Sequence, residues 1–196
     1  MPRQARILVD EGYYHIVTRG NDKKVLFHQK KDYSVFLDII LKYLARIKIN
    51  ILHYCLMPNH IHLLVKTLKG KDMPKFMQAI LQVYGNYHKK NYKSVGFIYQ
   101  NRYKSHLIET EHYLLDCAGY IERNPKKALI VDDLAEYKWS SYPVYALGKS
   151  DYIIRELDPL YLELSTNVQM RQQLYIEYIT KPRPYDDIID GYFNII

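Results

Sequence analysis

A chain of 196 residues with 48% hydrophobic content can bury one sizeable core with a small appendage. It has no apolar run of the roughly 20 residues that a membrane span needs, and no apolar signal region follows the start Met-Pro-Arg-Gln-Ala-Arg, so a cytoplasmic protein with no membrane partner is expected. The net charge of +7 is uneven, since residues 1–106 hold 19 Lys and Arg against 6 Asp and Glu, a balance of +13, while residues 107–196 balance to −6, which points to a polyanion, nucleic acid before membrane, as partner of the first half.

After a basic, mobile lead, Gly12-Tyr13-Tyr14-His15-Ile16-Val17-Thr18 reads as a strand rich in β-branched and aromatic residues. It closes on Arg19-Gly20-Asn21-Asp22, a cationic turn in which Arg19 and Asn21 are candidate DNA contacts. From Lys31 to Ile47 the apolar residues Tyr33, Phe36, Leu37, Ile40, Leu41, Leu44 and Ile47 follow the helical period. A hairpin comes next, from His53 to Val65, with Pro58-Asn59 as its turn. Side chains alternate along a strand, so His60 and His62 share one face and Ile61, Leu63 and Val65 the other. Two imidazoles on one strand form half of a metal site, or they are polar residues on a solvated sheet face. Cys55 and Cys117 both sit in apolar runs and read as buried core in a reducing compartment.

Met73 to Lys93 reads as a second helix with Phe76, Met77, Ile80, Leu81 and Tyr84 inward and Lys89, Lys90 and Lys93 at its basic end. Tyrosines interleave with these cations, and unpaired bases stack well on such faces. After Gly96, residues 97–108 read as a loop feeding a strand, with Gln100, Arg102, Tyr103 and Lys104 as further nucleic-acid contacts. The order strand, helix, strand, strand, helix, strand is that of a split βαβ fold: an antiparallel sheet with both helices on one face and the other face free to bind. A third helix follows, capped by Thr110, with Glu111 in its first turn and Pro125 as its stop. Tyr113, Cys117, Tyr120 and Asn124 fall on one line of it, either as core or as a phenol and an amide presented to one point. Trp139 reads as packing. A helix from Val168 to Thr180 is expected near the end, followed by a break at Lys181-Pro182-Arg183-Pro184 and a loosely held end from Tyr185.

Four motifs in order, Leu56-Met57-Pro58-Asn59-His60-Ile61-His62-Leu63-Leu64, Gln100-Asn101-Arg102-Tyr103-Lys104-Ser105, Tyr120-Ile121-Glu122-Arg123-Asn124-Pro125 and Trp139-Ser140-Ser141-Tyr142, resemble the single-tyrosine HUH transposases, the REP-associated tyrosine transposases above all. Thr18-Arg19-Gly20-Asn21 also matches, whereas Tyr99 and Asn101 depart from the family's usual Trp and Gly and the region after Gly148 matches only loosely. The resemblance implies a ferredoxin-like α+β catalytic domain over 1–148 and a C-terminal helical extension over 149–196. It implies His60 and His62 as ligands of Mg²⁺ or Mn²⁺, Asn124 as third ligand and Tyr120 as nucleophile. The implied substrate is single-stranded or hairpin DNA, cut and rejoined through a 5′-phosphotyrosine by a monomer or homodimer. Alternatives are a relaxase or replication initiator of the same fold, a domesticated hairpin DNA- or RNA-binding protein that does not cut, and an unrelated zinc hydrolase.

Overall fold

The computed structural model describes residues 6–110 and 112–193, apart from the side chains of His112, Pro184 and Asp190. Residues 1–5 of the expected basic lead, and the first-turn Glu111, lie outside these residues. Four strands, β1 (Tyr13–Arg19), β2 (Ile49–Met57), β3 (His60–Thr67) and β4 (Lys104–Ile108), form one antiparallel sheet in the order β2-β3-β1-β4. Helix α1 (Lys30–Leu44) joins β1 to β2 and helix α2 (Asp72–Tyr92) joins β3 to β4, which completes the split βαβ order. Both cover one face. Tyr33, Phe36, Leu37, Ile40 and Leu44 of α1 meet Phe76, Met77, Ile80 and Tyr84 of α2 over Tyr14, Ile16, Ile61, Leu63 and Val65 of the sheet.

The opposite face, expected to be free, is covered. Helix α3 (His112–Lys127) lies across it, burying Leu114, Cys117, Tyr120 and Ile121 against Val17, Cys55, Met57 and Leu64. These sheet residues are mostly apolar on both faces, so an open second face would expose a large hydrophobic patch. Four further helices build on α3: α4 (Tyr142–Leu147), α5 (Pro159–Glu163), α6 (Val168–Ile179) and α7 (Pro184–Phe193). Trp139 stacks on Tyr33 at 4.6 Å, and Trp139 and Ser141 bond the outer edge of β2, so this segment does pack.

Two further expectations fail. Pro125 does not stop α3, which runs on to Lys127. The N–H that proline lacks leaves the Ile121 carbonyl short of a donor, and the Asn124 side-chain amide reaches it at 3.3 Å. The chain from Tyr185 is not loosely held either. It forms α7, whose Tyr185, Ile189 and Phe193 are buried, and Asp186 of α7 accepts two bonds from Arg123 of α3 at 2.6 and 2.7 Å.

Candidate active site

The register fixes what surrounds the histidine pair. On β1, Val17 lies opposite His62 and Arg19 opposite His60; on β2, Cys55 and Met57 lie opposite them from the other side. His15 is one step further along β1, and its Nε2 stands 3.0 Å from Nδ1 of His62. The Asn59 carboxamide oxygen stands 2.7 Å from Nδ1 of His60. Each ring of the pair therefore has one nitrogen engaged, while both Nε2 atoms are buried without a hydrogen-bond partner among the described residues. Their ring centroids are 4.9 Å apart, edge to face.

Burial keeps this pair neutral. It lowers His60 to about 4, with the nearby Asn124 amide opposing and Arg19 adding to the effect. His62 is held well below the usual imidazole range by burial and by its neighbours His60 and His15. A neutral imidazole keeps a lone pair for a cation, which a protonated one lacks.

Helix α3 brings Tyr120 and Asn124 to the same place. The Tyr120 ring lies edge-on to His62 at 5.8 Å and to His15 at 5.7 Å between centroids. Asn124 is tied down through its amide nitrogen, which donates to the carbonyls of Tyr120 at 2.8 Å and Ile121 at 3.3 Å. Lys127, one turn on, places its ammonium 5.6 Å from the Tyr120 ring centroid. All four expected residues thus converge.

The expected DNA contacts divide. Arg19 ends β1 beside the pair, with its Nε buried and unpartnered. Asn21 opens a short 3-10 turn and bonds back to the carbonyl of Ile98. Lys90 and Lys93 are exposed at the end of α2. Lys89, Gln100 and Arg102 line a cleft of about 680 Å³ between α2 and residues 97–103. Tyr103 borders it too but is buried, with the Arg6 guanidinium 3.9 Å over its ring, and Lys104 spends its ammonium on the Phe193 carbonyl at 2.8 Å.

Sequence reasoning missed His15, Asn59 and a second buried centre around His53. The available signal for His15 was parity with Arg19 on β1. His53 of β2 stands 2.9 Å from Glu122 of α3 and 3.3 Å from Asp158 ahead of α5. Ser141 and Tyr175 donate to the same Glu122 carboxylate at 2.6 and 2.7 Å.

A solved structure of a REP-associated tyrosine transposase bound to a REP hairpin matches with a TM-score of 0.65 and 16% identity, over 80% of this chain and 92% of the other. The chain belongs to the IS200-like transposases, whose family model matches residues 8–124, a span that holds His60, His62, Tyr120 and Asn124. A second structure, of a Deinococcus radiodurans protein assigned as a transposase, matches at a TM-score of 0.41 and 19% identity over 63% of this chain and 97% of the other. No curated protein matches the chain. Among the described residues no helix is long and apolar enough to cross a membrane.

Proposed function

We propose that this transposase cuts single-stranded DNA at or beside a hairpin and rejoins it through a covalent bond between Tyr120 and a 5′-phosphate. The observation that carries the reading is the pair of buried, neutral imidazoles with vacant Nε2 atoms beside a helix-borne tyrosine. No group of three His, Cys, Asp or Glu side chains suited to a metal occurs among the described residues. The donor set that fits is therefore His60, His62 and the Asn124 carboxamide, with remaining positions left to water and phosphate oxygens. That mixed nitrogen and oxygen set suits Mg²⁺ or Mn²⁺. When bound, such a cation polarises the scissile phosphate and offsets the charge that develops on it.

The chain's own residues do the rest. His15 and Asn59 each engage one ring nitrogen of the pair, leaving Nε2 as the donor atom in each case. The Tyr120 oxygen forms a bond to phosphorus as the bond to the 3′-oxygen breaks. The phenol gives up its proton and the released 3′-oxygen takes one up, so the number of phosphodiester links is unchanged. Rejoining then needs no ATP, which a water nucleophile would not allow. Arg19, Asn21, Lys89, Lys90, Lys93, Gln100 and Arg102 are proposed to hold the DNA, the cations through its phosphates, while Tyr103, buried beneath Arg6, and Lys104, bonded to the Phe193 carbonyl, support that surface.

One observation favours the alternative, a hairpin DNA- or RNA-binding protein that does not cut: Tyr120, His60, His62 and Asn124 are each at most 8% exposed. A single assay separates the two. Hairpin DNA with single-stranded flanks, labelled at its 3′ end, is incubated with the protein and Mn²⁺ and run on a denaturing gel. Strand transfer predicts label migrating with the protein and lost in Tyr120→Phe, which removes one oxygen and keeps the ring. Absence of that band from the unaltered protein, with DNA still bound, would establish the non-cutting alternative.

A further inference from the structure

Asn59 is half-buried in the turn between β2 and β3, and both ends of its carboxamide are in use. Its Nδ2 donates to the Lys23 carbonyl at 3.1 Å, and its Oδ1 stands 2.7 Å from Nδ1 of His60. A backbone carbonyl can only accept, so it selects the NH₂ end of the amide and leaves the oxygen to face His60. That oxygen can only accept in its turn, so the neutral ring must carry its proton on Nδ1, and the lone pair falls on Nε2. The contact between His62 and His15 dictates nothing of this kind, because either ring nitrogen can donate to the other.

The Lys23 carbonyl is itself held in place. Asp22 and Lys23 both have left-handed backbone, with φ of 53° and 56°. Aspartate tolerates this region, whereas a lysine stays in it only where the surrounding structure imposes it. Those surroundings are the turn ahead of His60. The Gly20 N–H donates to the Asn59 carbonyl at 2.8 Å, and the Pro58 carbonyl accepts from the N–H groups of Leu26 and Phe27 at 2.7 and 3.1 Å. Gly20 permits this closure, since a Cβ there would collide with the Lys24 carbonyl oxygen.

We infer that Asn59 is a positioning residue whose amide, oriented by the Lys23 carbonyl, fixes the tautomer of His60, so that Nε2 is ready for a cation in the metal-free protein. The inference rests on the strand-transfer reading above, which makes His60 a ligand. Without the amide the ring is free to carry its proton on Nε2, where it occupies the lone pair that a cation needs. An aspartate in its place accepts at both ends, so it needs no carbonyl to orient it and still keeps the proton on Nδ1.

The test reads the ring directly. Two-bond ¹H–¹⁵N correlation spectra of metal-free protein labelled with ¹⁵N-histidine, recorded above neutral pH, distinguish the protonated ring nitrogen from the bare one, and the signal lost in His60→Gln assigns the ring. His60 should show the Nδ1–H form alone. Asn59→Ala should bring in the Nε2–H form and weaken Mn²⁺ uptake, followed by the electron paramagnetic resonance of free Mn²⁺, about 10- to 100-fold. Asn59→Asp should keep both the tautomer and most of the affinity. An Nε2–H ring in the unaltered protein, an unchanged ring in Asn59→Ala, or an equal loss of Mn²⁺ affinity in both variants would overturn the inference and leave strand transfer standing. Unaltered protein that takes up no Mn²⁺ would overturn both.

Discussion

His53 and His62 sit on neighbouring strands of the same sheet face, both without solvent exposure, and yet one is charged and the other neutral. Burial works against the proton in each case. At His62 nothing opposes it, since its neighbours are His15 and His60, and the ring stays neutral. At His53 the contacts with Asp158 and Glu122 override burial and push the ring up to about 9. What decides the state of a buried imidazole here is the partner at each nitrogen. A ring closed by carboxylates on both sides is a structural cation that ties β2 to α3 and to the start of α5. A ring with one imidazole neighbour and one nitrogen without a hydrogen-bond partner among the described residues stays neutral, as the proposed ligand role requires.

The comparison can be broken from either side. The largest effect belongs to the open ring. His62→Gln should reduce covalent strand capture by about 10³-fold or more, because several kcal/mol of transition-state stabilisation go with the cation. Circular dichroism should show the fold retained; capture at the normal rate would mean that His62 holds nothing. On the closed side, Glu122→Ala should destabilise the chain by about 3–5 kcal/mol, read by urea unfolding, since it strips a buried cation of one partner and leaves Ser141 and Tyr175 without their acceptor. An unchanged midpoint would show that His53 is not charged. Asn124→Ala should lower metal affinity about 10- to 100-fold, and excess Mn²⁺ should restore its rate in part, as it cannot for Tyr120→Phe.

The smallest effect is a pH dependence with two limbs of opposite sign. The folded state holds the His53 proton more tightly than the unfolded chain, so that contribution is complete below about 6.5 and is lost as pH rises toward 9. His60 is the reverse: the unfolded chain holds its proton more tightly, so stability falls as pH drops from about 6.5 toward 4. Thermal unfolding across this range should show a maximum between the limbs. His53→Gln should flatten only the alkaline one.

The sheet, α1 and α2 were legible because each rests on a period, whereas the meeting of the histidine pair with Tyr120 and Asn124 was implied only by the family resemblance. Parity on β3 puts His60 and His62 together, and the helical repeat puts Tyr120 and Asn124 on one line of α3. Contacts between distant segments have no period and were missed. His15 is 47 positions from His62, and Glu122 is 69 from His53. The same holds for closure of the second sheet face, which depends on where α3 and α7 dock. Pro125 misled for a local reason, since the helix-stopping rule did not anticipate that the amide of Asn124 would serve the carbonyl the proline leaves.

Between Ile51 and His53 the pairing of β2 with β3 slips by one residue: Ile51 opposes Val65, His53 opposes Leu64, and Leu52 has no opposite number. Before the slip Ile49 and Ile51 face α1 and α2; after it Cys55 and Met57 face α3, while Tyr54 and Leu56 take the first side. A strand of this kind has a reading frame of two, and the extra residue is its frameshift. Removing Leu52 would leave Ile51 opposite Val65 and His53 opposite Leu64 in an unbroken ladder, so every later side chain of β2 would keep its present face. At any other point of β2, losing one residue would turn over the side chains on one side of the deletion, so the bulge is the place where the strand tolerates a change of a single residue.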